Sequence, residues 1–299
     1  MRNLIYACLI ITIITSCKDD TPEMEPLIIN GLTYGNSNKT FEEANNNIIA
    51  ALNGVAAIKI VAEIDHSANA VSVNETLLPT KVILFGNPAL GTPLMQKNQL
   101  AGLDLPQKML LFQDEDAQLK VAYNSTDYLA QRHGLAGVAA LATIAGALSN
   151  FASAATTEQL VNAEVSVGLN EGIIIKNSTY SFEETYAKLV GIITKNENLK
   201  LIAELDHQAN AASINLELRP TRLVVFGNPN LGSPLMQSMQ TIGIDLPQKM
   251  LVFENEAGEV QVAYNDPTYL AKRHGITGND DTLSTITDAL NNISNGATN

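Results

Sequence analysis

Tryptophan is missing from this 299-residue chain, and aromatic residues make up only 5% of it. That argues against the broad stacking platforms that hold sugars or single-stranded nucleic acid. Basic residues are also scarce: 18 Lys and Arg stand against 31 Asp and Glu, for a net charge of −13 at pH 7. A surface of that sign repels phosphate backbones, so no nucleic-acid partner is expected. Cysteine occurs only at Cys8 and Cys17, both in the N-terminal segment, which leaves the body of the chain without a disulfide, a cysteine metal site or a cysteine nucleophile. No Gly-x-Ser-x-Gly elbow, His-Glu-x-x-His pair, Walker loop or dinucleotide fingerprint is present. What remains, 45% hydrophobic and 16% charged, is the composition of a globular protein held by packing.

Residues 1–16 read as a signal peptide. Arg2 supplies the positive region, Leu4 to Ile14 the apolar region, and Thr15-Ser16 the small residues before Cys17. The apolar run is too short for an ordinary transmembrane helix. Ile14-Thr15-Ser16-Cys17 resembles a bacterial lipobox, which makes Cys17 the lipid-attachment residue and residues 17–26 a lipidated tether, with Pro22 and Pro26 in it. Several acyl chains on one residue hold a protein stably to a membrane. Lys18-Asp19-Asp20 looks like the charged signal that sends lipoproteins outward, so the expected location is the bacterial outer membrane or cell surface. Arg2 is the only charge in residues 1–16, so its removal takes the net charge to −14.

The rest of the chain is one module written twice. Glu63-Ile64-Asp65-His66 returns as Glu204-Leu205-Asp206-His207, Phe85-Gly86-Asn87-Pro88 as Phe226-Gly227-Asn228-Pro229, and Arg132-His133-Gly134 as Arg273-His274-Gly275, always 141 positions on. About half of the positions between Thr40 and Gly134 are identical to their counterparts without a slip in register. This predicts module one over 27–153, a linker over 154–167 and module two over 168–299. Within a module, Leu32 to Tyr34 (Ile173 to Ile175) reads as a first strand. Thr40-Phe41-Glu42-Glu43 is a capping box that opens a helix carrying Ala44, Ile48 and Leu52 at helical spacing.

Lys59 to Asp65 alternates as a strand, with Ile60, Ala62 and Ile64 on one face and Val61, Glu63 and Asp65 on the other. His66 would then share the face of Ile64. Val82 to Phe85 is an apolar strand ended by the Gly86-Asn87-Pro88 turn. Thr92-Pro93 predicts a cap and first residue for a short helix over Leu94 to Leu100. Gln107 to Phe112 and Leu119 to Tyr123 read as a hairpin, and Thr126 to His133 as a helix stopped by Gly134. The Ala-rich run Leu135 to Ala155 is apolar enough to suggest a membrane span. Its counterpart, however, keeps Leu283, Ile286, Leu290 and Ile293 on one face and is polar elsewhere, so a packed terminal helix is expected in both modules. The greater apolarity of the first copy suggests a helix buried between the modules.

The run Ile-Asp-His, Leu-Pro-Thr with an apolar strand ending Phe-Gly-Asn-Pro, then Gly-Thr-Pro-Leu-Met, Leu-Asp-Leu-Pro-Gln-Lys and a closing Arg-His-Gly resembles the domain of unknown function 302 family over roughly residues 30–134 and 171–275. The resemblance implies an α+β fold of two tandem copies of a curved antiparallel sheet packed by helices, similar to the TATA-binding-protein-like class. It also implies that the modules pair within the chain as an intrachain pseudo-dimer. The family's suggested metal site lies at shared polar residues, and no activity comes with it.

The residues with ligand chemistry that occur in both copies are Asp65, His66, Asn87 and His133, with Asp206, His207, Asn228 and His274. A carboxylate beside an imidazole can orient it, and a neutral imidazole is a metal ligand or general base near pH 7. His66 and His207 are the candidate metal ligands, with zinc as the candidate cofactor. Alternation works against such a site, because Asp65 and His66 would face opposite ways. Structural readings stand beside the functional ones: His66 bonded to backbone such as the Asn87 turn, His133 beside the last carbonyls of a helix, Thr92 as a cap, and Asn87 as a turn residue. The expected function is a lipid-anchored envelope protein whose paired modules bind a small ligand, a metal or an envelope protein. The alternatives are a metal-dependent enzyme around the Asp-His motifs and a purely structural module pair.

Overall fold

The computed structural model describes residues 29–299. The expected signal peptide, Cys17 and the expected tether lie outside the described residues. Module one runs β1 (Leu32–Ser37), α1 (Phe41–Asn53), β2 (Lys59–Asp65), α2 (His66–Val71), β3 (Thr80–Gly86), α3 (Pro88–Lys97), a 3-10 turn at Gln99–Leu103, β4 (Gln107–Gln113), β5 (Leu119–Asn124), α4 (Thr126–His133) and α5 (Ala140–Ala155). After a short β6 (Val161–Asn162), module two repeats the series. It comprises β7 (Ile173–Asn177), α6 (Phe182–Lys195), β8 (Lys200–Asp206), α7 (His207–Ala212), β9 (Thr221–Gly227), α8 (Pro229–Ser238), a 3-10 turn at Gln240–Ile244, β10 (Gln248–Glu254), β11 (Val260–Asn265), α9 (Pro267–Arg273) and α10 (Asp280–Thr298). The strands form two antiparallel sheets, ordered β2-β3-β4-β5-β1-β6 and β7-β11-β10-β9-β8. The fold is α+β in two tandem copies.

Side-chain alternation explains how the copies meet. In β3, Ile83 and Phe85 point to the helices of module one, whereas Val82 and Leu84 point the other way. In β9, Val224 and Phe226 face their own helices and Leu223 and Val225 face away. The outward-facing sets form one continuous core: Val82, Leu84, Leu110 and Phe112 pack with Leu223, Val225, Leu251 and Phe253. The order of layers is therefore helices, sheet, sheet, helices. Both faces of every central strand are buried, and each such side chain contributes roughly 1.5–3 kcal/mol of hydrophobic stabilisation.

Helix α1 starts where the sequence places its cap, and α3 is an exception. Thr40 Oγ1 accepts from the Glu43 N–H at 3.2 Å while Glu43 Oε2 accepts from the Thr40 N–H at 2.9 Å, closing the capping box of α1. The exception is α3, expected to start at Pro93. Asn87 caps it instead, accepting from the Ala89 N–H at 3.0 Å, and Pro88 takes the first helical position. Asn-Pro provides a cap and a preset φ about one and a half turns earlier than Thr92-Pro93 does, so Thr92 ends up inside the helix.

Three further expectations change. A bulge between Ile60 and Ala62 breaks the alternation of β2: Ile60 packs with the helices of module one while Val61, Ala62 and Ile64 face the second sheet. The helix α5 does not lie between the modules. It packs on α1 and α3 of its own module through Ile144, Leu148 and Phe151, with Ala142, Thr143 and Gly146 exposed. No helix among the described residues is long and apolar enough to cross a membrane. The segment after α5 is more than a linker, because Val161 and Asn162 pair with Tyr34 and Thr33 as a sixth strand on the first sheet.

Candidate functional site

The Asp-His pair sits where β2 stops and α2 begins. Asp65 is the cap of α2, its Oδ1 accepting from the Ala68 N–H and the Ser67 hydroxyl, both at 2.8 Å. His66, the first helical residue, is 4% exposed and turns toward the other module. Its Nε2–H donates to the Gly243 carbonyl at 3.2 Å, in the 3-10 turn of module two, and not to the Asn87 turn. Burial, offset in part by Gly243 and Asp65, pushes the His66 imidazole down to about 4. Asp206 likewise caps α7 and also accepts from Arg222 Nε at 2.8 Å. His207 is buried and pushed down to about 4 by that burial, but its Nε2 has no partner.

His133 and His274 belong to a different place, a buried charge cluster where the modules meet. Asp104 Oδ2 accepts from Arg132 Nη1 at 2.8 Å and from His133 Nε2 at 2.7 Å; Asp245 Oδ2 accepts from Arg273 Nη1 at 2.7 Å and His274 Nε2 at 2.9 Å. The partners cross between modules: Arg132 Nη2 donates to Asn265, Arg273 Nη2 to Asn124, and Lys108 Nζ to Asp245 Oδ1 at 3.4 Å. Tyr128 and Tyr269 join hydroxyls at 3.0 Å, and the Arg273 guanidinium lies 4.0 Å from the Tyr128 ring centre.

Burial pulls the two carboxyls up, but the arginine beside each, the neighbouring histidine and Lys108 together outweigh it and hold both well below the ordinary carboxylate range. Burial and then the facing Lys108 push Lys249 well down. One asymmetry is legible residue by residue. Thr241 meets His274 Nδ1 at 2.9 Å, whereas the corresponding residue of module one is Leu100, and His133 Nδ1 has no partner. This cluster acts as a lock between the modules, and sequence reasoning missed most of it. Asp104, Lys108 and Arg132 recur as Asp245, Lys249 and Arg273 inside apolar surroundings, which is the signal that could have found them.

The eight sequence candidates are therefore not one site. Asp65 and Asp206 cap helices, His133 and His274 serve the lock, and His66 and His207 line separate cavities. Zinc does not fit them: the Nε2 of His66 is taken by a carbonyl, and among the described residues no three His, Cys, Asp or Glu side chains gather as a ligand set.

What the structure does build is a cavity of about 360 Å³ between the modules. Module one supplies its floor from Ile60, Phe85, Asn87, Thr92 and Gln107, and its side wall from Ile144, Leu148 and Phe151 of α5; module two closes it with Asp206, His207 and Asn210. Asn87 thus caps α3 and lines the cavity. Three lining residues carry a buried polar atom without a partner: Thr92 Oγ1, Gln107 Nε2 and His207 Nε2. The twin cavity, around His66 and Asn228, is only about 90 Å³. There Ser233 Oγ is unpartnered, while His66 is satisfied by Gly243.

Comparison with known proteins finds the profile of the family described as "Domain of unknown function DUF302" over residues 34–153 and again over 174–293. The fluoride-specific ion channel FluC 1 of Brucella suis biovar 1 (strain 1330) is 38% identical over 108 residues, 36% of this chain and 42% of that protein. FluC 1 of Brucella abortus biovar 1 (strain 9-941) matches at 38% over 108 residues and 40% of its length. The chain thus spans less than half of these relatives. Among solved structures, an uncharacterized conserved protein DUF302 from Bacillus stearothermophilus aligns with a TM-score of 0.39 and 15% identity, over 42% of this chain and 98% of the other.

Proposed function

Because the chain belongs to the DUF302 family, with one copy in each module, and that family's description names no activity, we propose a function from the chain's own geometry: a lipid-anchored envelope protein that binds one small, largely apolar ligand in the cavity between its modules. The observation that carries this reading is one mainly apolar cavity of about 360 Å³ lined by both modules. The volume falls in the range of small-molecule sites. The twin cavity is too small for the same ligand, so the stoichiometry is one per chain. The channel activity in the relatives' names is not extended to this chain, because the match spans less than half of them.

Naphthalene is a suitable probe, since the absence of tryptophan leaves its fluorescence free of that background. We expect saturable binding of one naphthalene per chain, abolished by Ala147→Phe, which fills the cavity from α5, with the circular dichroism unchanged. Absence of binding, or binding indifferent to that substitution, sinks the reading.

The anchor is supported by Arg2, the apolar run Leu4 to Ile14 and the lipobox-like Ile14-Thr15-Ser16-Cys17; Lys18-Asp19-Asp20 supports display at the outer membrane or cell surface. Replacing Cys17 by Ser should move the protein from the membrane fraction to the soluble fraction. Its retention with the membranes would refute a lipid anchor.

A further inference from the structure

The two sheets are not finished alike. In the first, β6 covers the outer edge of β1: Val161 and Asn162 pair with Tyr34 and Thr33, the Gly31 N–H donates to the Glu164 carbonyl at 3.0 Å, and the Ala163 N–H donates to the Leu32 carbonyl at 2.9 Å. In the second sheet, β7 is the edge strand among the described residues. Its Ile175, the counterpart of Tyr34, is 41% exposed against 5% for the tyrosine. An open edge of backbone donors and acceptors beside apolar side chains is a template for one more strand.

The repeat of the modules names that strand. The chain enters β1 and β7 by the same turn. Leu32 N–H donates to the Ile29 carbonyl as Ile173 N–H does to that of Asn170, Gly31 and Gly172 take φ of +70° and +67°, and the carbonyls of Asn30 and Glu171 accept from Arg273 Nε and Arg132 Nε, both at 3.0 Å. Each entry therefore starts beside the opposite module. The segment 161–171 reaches Arg132 of module one from the outer edge of β1. Moved back by the repeat offset it becomes residues 20–30, which reach Arg273 of module two, and Asp20 and Thr21 then fall opposite Ile175 and Ile174.

The side chains agree with this placement. Glu164 has Glu23 as its counterpart, and Val165, which packs on the core of module one, has the equally apolar Met24. A Cβ added at Gly35 would come within 2.9 Å of Leu160. In module two the position of Gly35 is taken by Lys176 and that of Leu160 by Asp19, so a steric conflict is replaced by two opposite charges. Lys176 otherwise holds the amide oxygens of Asn291 and Asn295 rather than a carboxylate. One bond has no equivalent, because Pro22 stands where Ala163 does and has no N–H to donate.

We propose that Asp19 to Met24 is the segment that adds to the outer edge of β7, with Asp20 opposite Ile175, so that each sheet is completed by the stretch of chain leading into the other. Cys17 lies three residues before Asp20, so this docking holds the N-terminal attachment point against module two instead of at the end of a free tether.

Cross-linking tests this on the full chain with Cys8→Ser and Cys17→Ser as background, which leaves only introduced thiols. Residues directly opposite in an antiparallel pair have Cα atoms about 4.5–5.5 Å apart, within disulfide range, whereas neighbours along a strand point to opposite faces. Under mild oxidation, Asp20→Cys with Ile175→Cys should form an intrachain disulfide roughly tenfold faster or more than Thr21→Cys with Ile175→Cys, read by mass spectrometry of the linked peptides. Both pairs carry the same substitution at the exposed Ile175, so the comparison is made within one folded background. Equal rates would describe a segment that reaches the edge without docking on it and overturn the proposal, as would the absence of an intrachain bond from the first pair. Disulfides between chains in its place would also overturn it and assign the β7 edge to a second copy of the protein.

Discussion

Asp245→Asn is expected to cost about 3–5 kcal/mol of stability, seen as a lowered denaturant midpoint at pH 7. The side chain keeps its shape, so no cavity term enters, and the loss is electrostatic. Asp245 is 2% exposed and receives Arg273, His274 and Lys108 on its two oxygens. An intact buried ion pair adds little net stability, because desolvation offsets most of the attraction. Neutralising one partner is different, since it leaves the other charges buried with nothing to balance them. Here two cations, Arg273 and Lys108, would be left facing an amide. Lys108 comes from the other module, so the damage falls on the contact between modules as well as on module two. Glu197→Gln, at an exposed loop position, is the control and should leave the midpoint in place. If Asp245→Asn behaves like that control, the cluster does not lock the modules together.

The fold was legible in the sequence to the extent that it depends on local rules and on repetition. The capping box at Thr40 and Glu43, the Gly134 stop and the β4–β5 hairpin are decided within a few residues, and the second copy repeats each. Asp65 and His66 part because Asp65 caps α2 and His66 begins it, not because a strand alternates through both. What could not be read is which partner covers each apolar face. Val82-Ile83-Leu84-Phe85 is hydrophobic on both sides, and nothing in those four residues says that one side meets helices and the other a second sheet. For the same reason the apolar α5 was expected between the modules, when its partners are its own sheet and helices.

The bulge in β2 and the capping role of Asn87 each shift a register by a residue or a turn, which pattern counting does not resolve. The site fared worse because identity across the copies marks lock residues and cavity residues alike. His66 and His207 are the same letter in the same motif, yet one is satisfied by a carbonyl and the other is not.

Those two histidines carry the second large effect, a loss of stability in mild acid. Both are buried and both are pushed down to about 4 by that burial, whereas in the unfolded chain an imidazole titrates near 6.5. Between these values the unfolded state binds more protons than the folded state, so stability falls as pH is lowered from about 6.5 toward about 4. At pH 4.5 the deficit relative to pH 7 is roughly 2–3 kcal/mol for each histidine, or about 5 for the pair. His274, also lowered chiefly by burial, adds in the same direction.

The buried aspartates do not contribute in that window. Asp104 and Asp245 lie well below the ordinary carboxylate range, so what they supply is present above that range and lost only at more acid pH. Denaturant midpoints at pH 7 and pH 4.5 give the comparison: the unmodified chain should lose several kcal/mol, His66→Gln and His207→Gln should each remove about half of the loss, and the double variant most of it. A chain equally stable at the two pH values would mean that these imidazoles can take up protons without leaving the interface. His207 has a second consequence. Its protonation places a charge in the cavity wall, so binding of an uncharged probe should weaken over the same pH range. His66→Gln should leave that weakening unchanged and His207→Gln should remove it, which separates the histidine that holds the modules together from the one that lines the cavity.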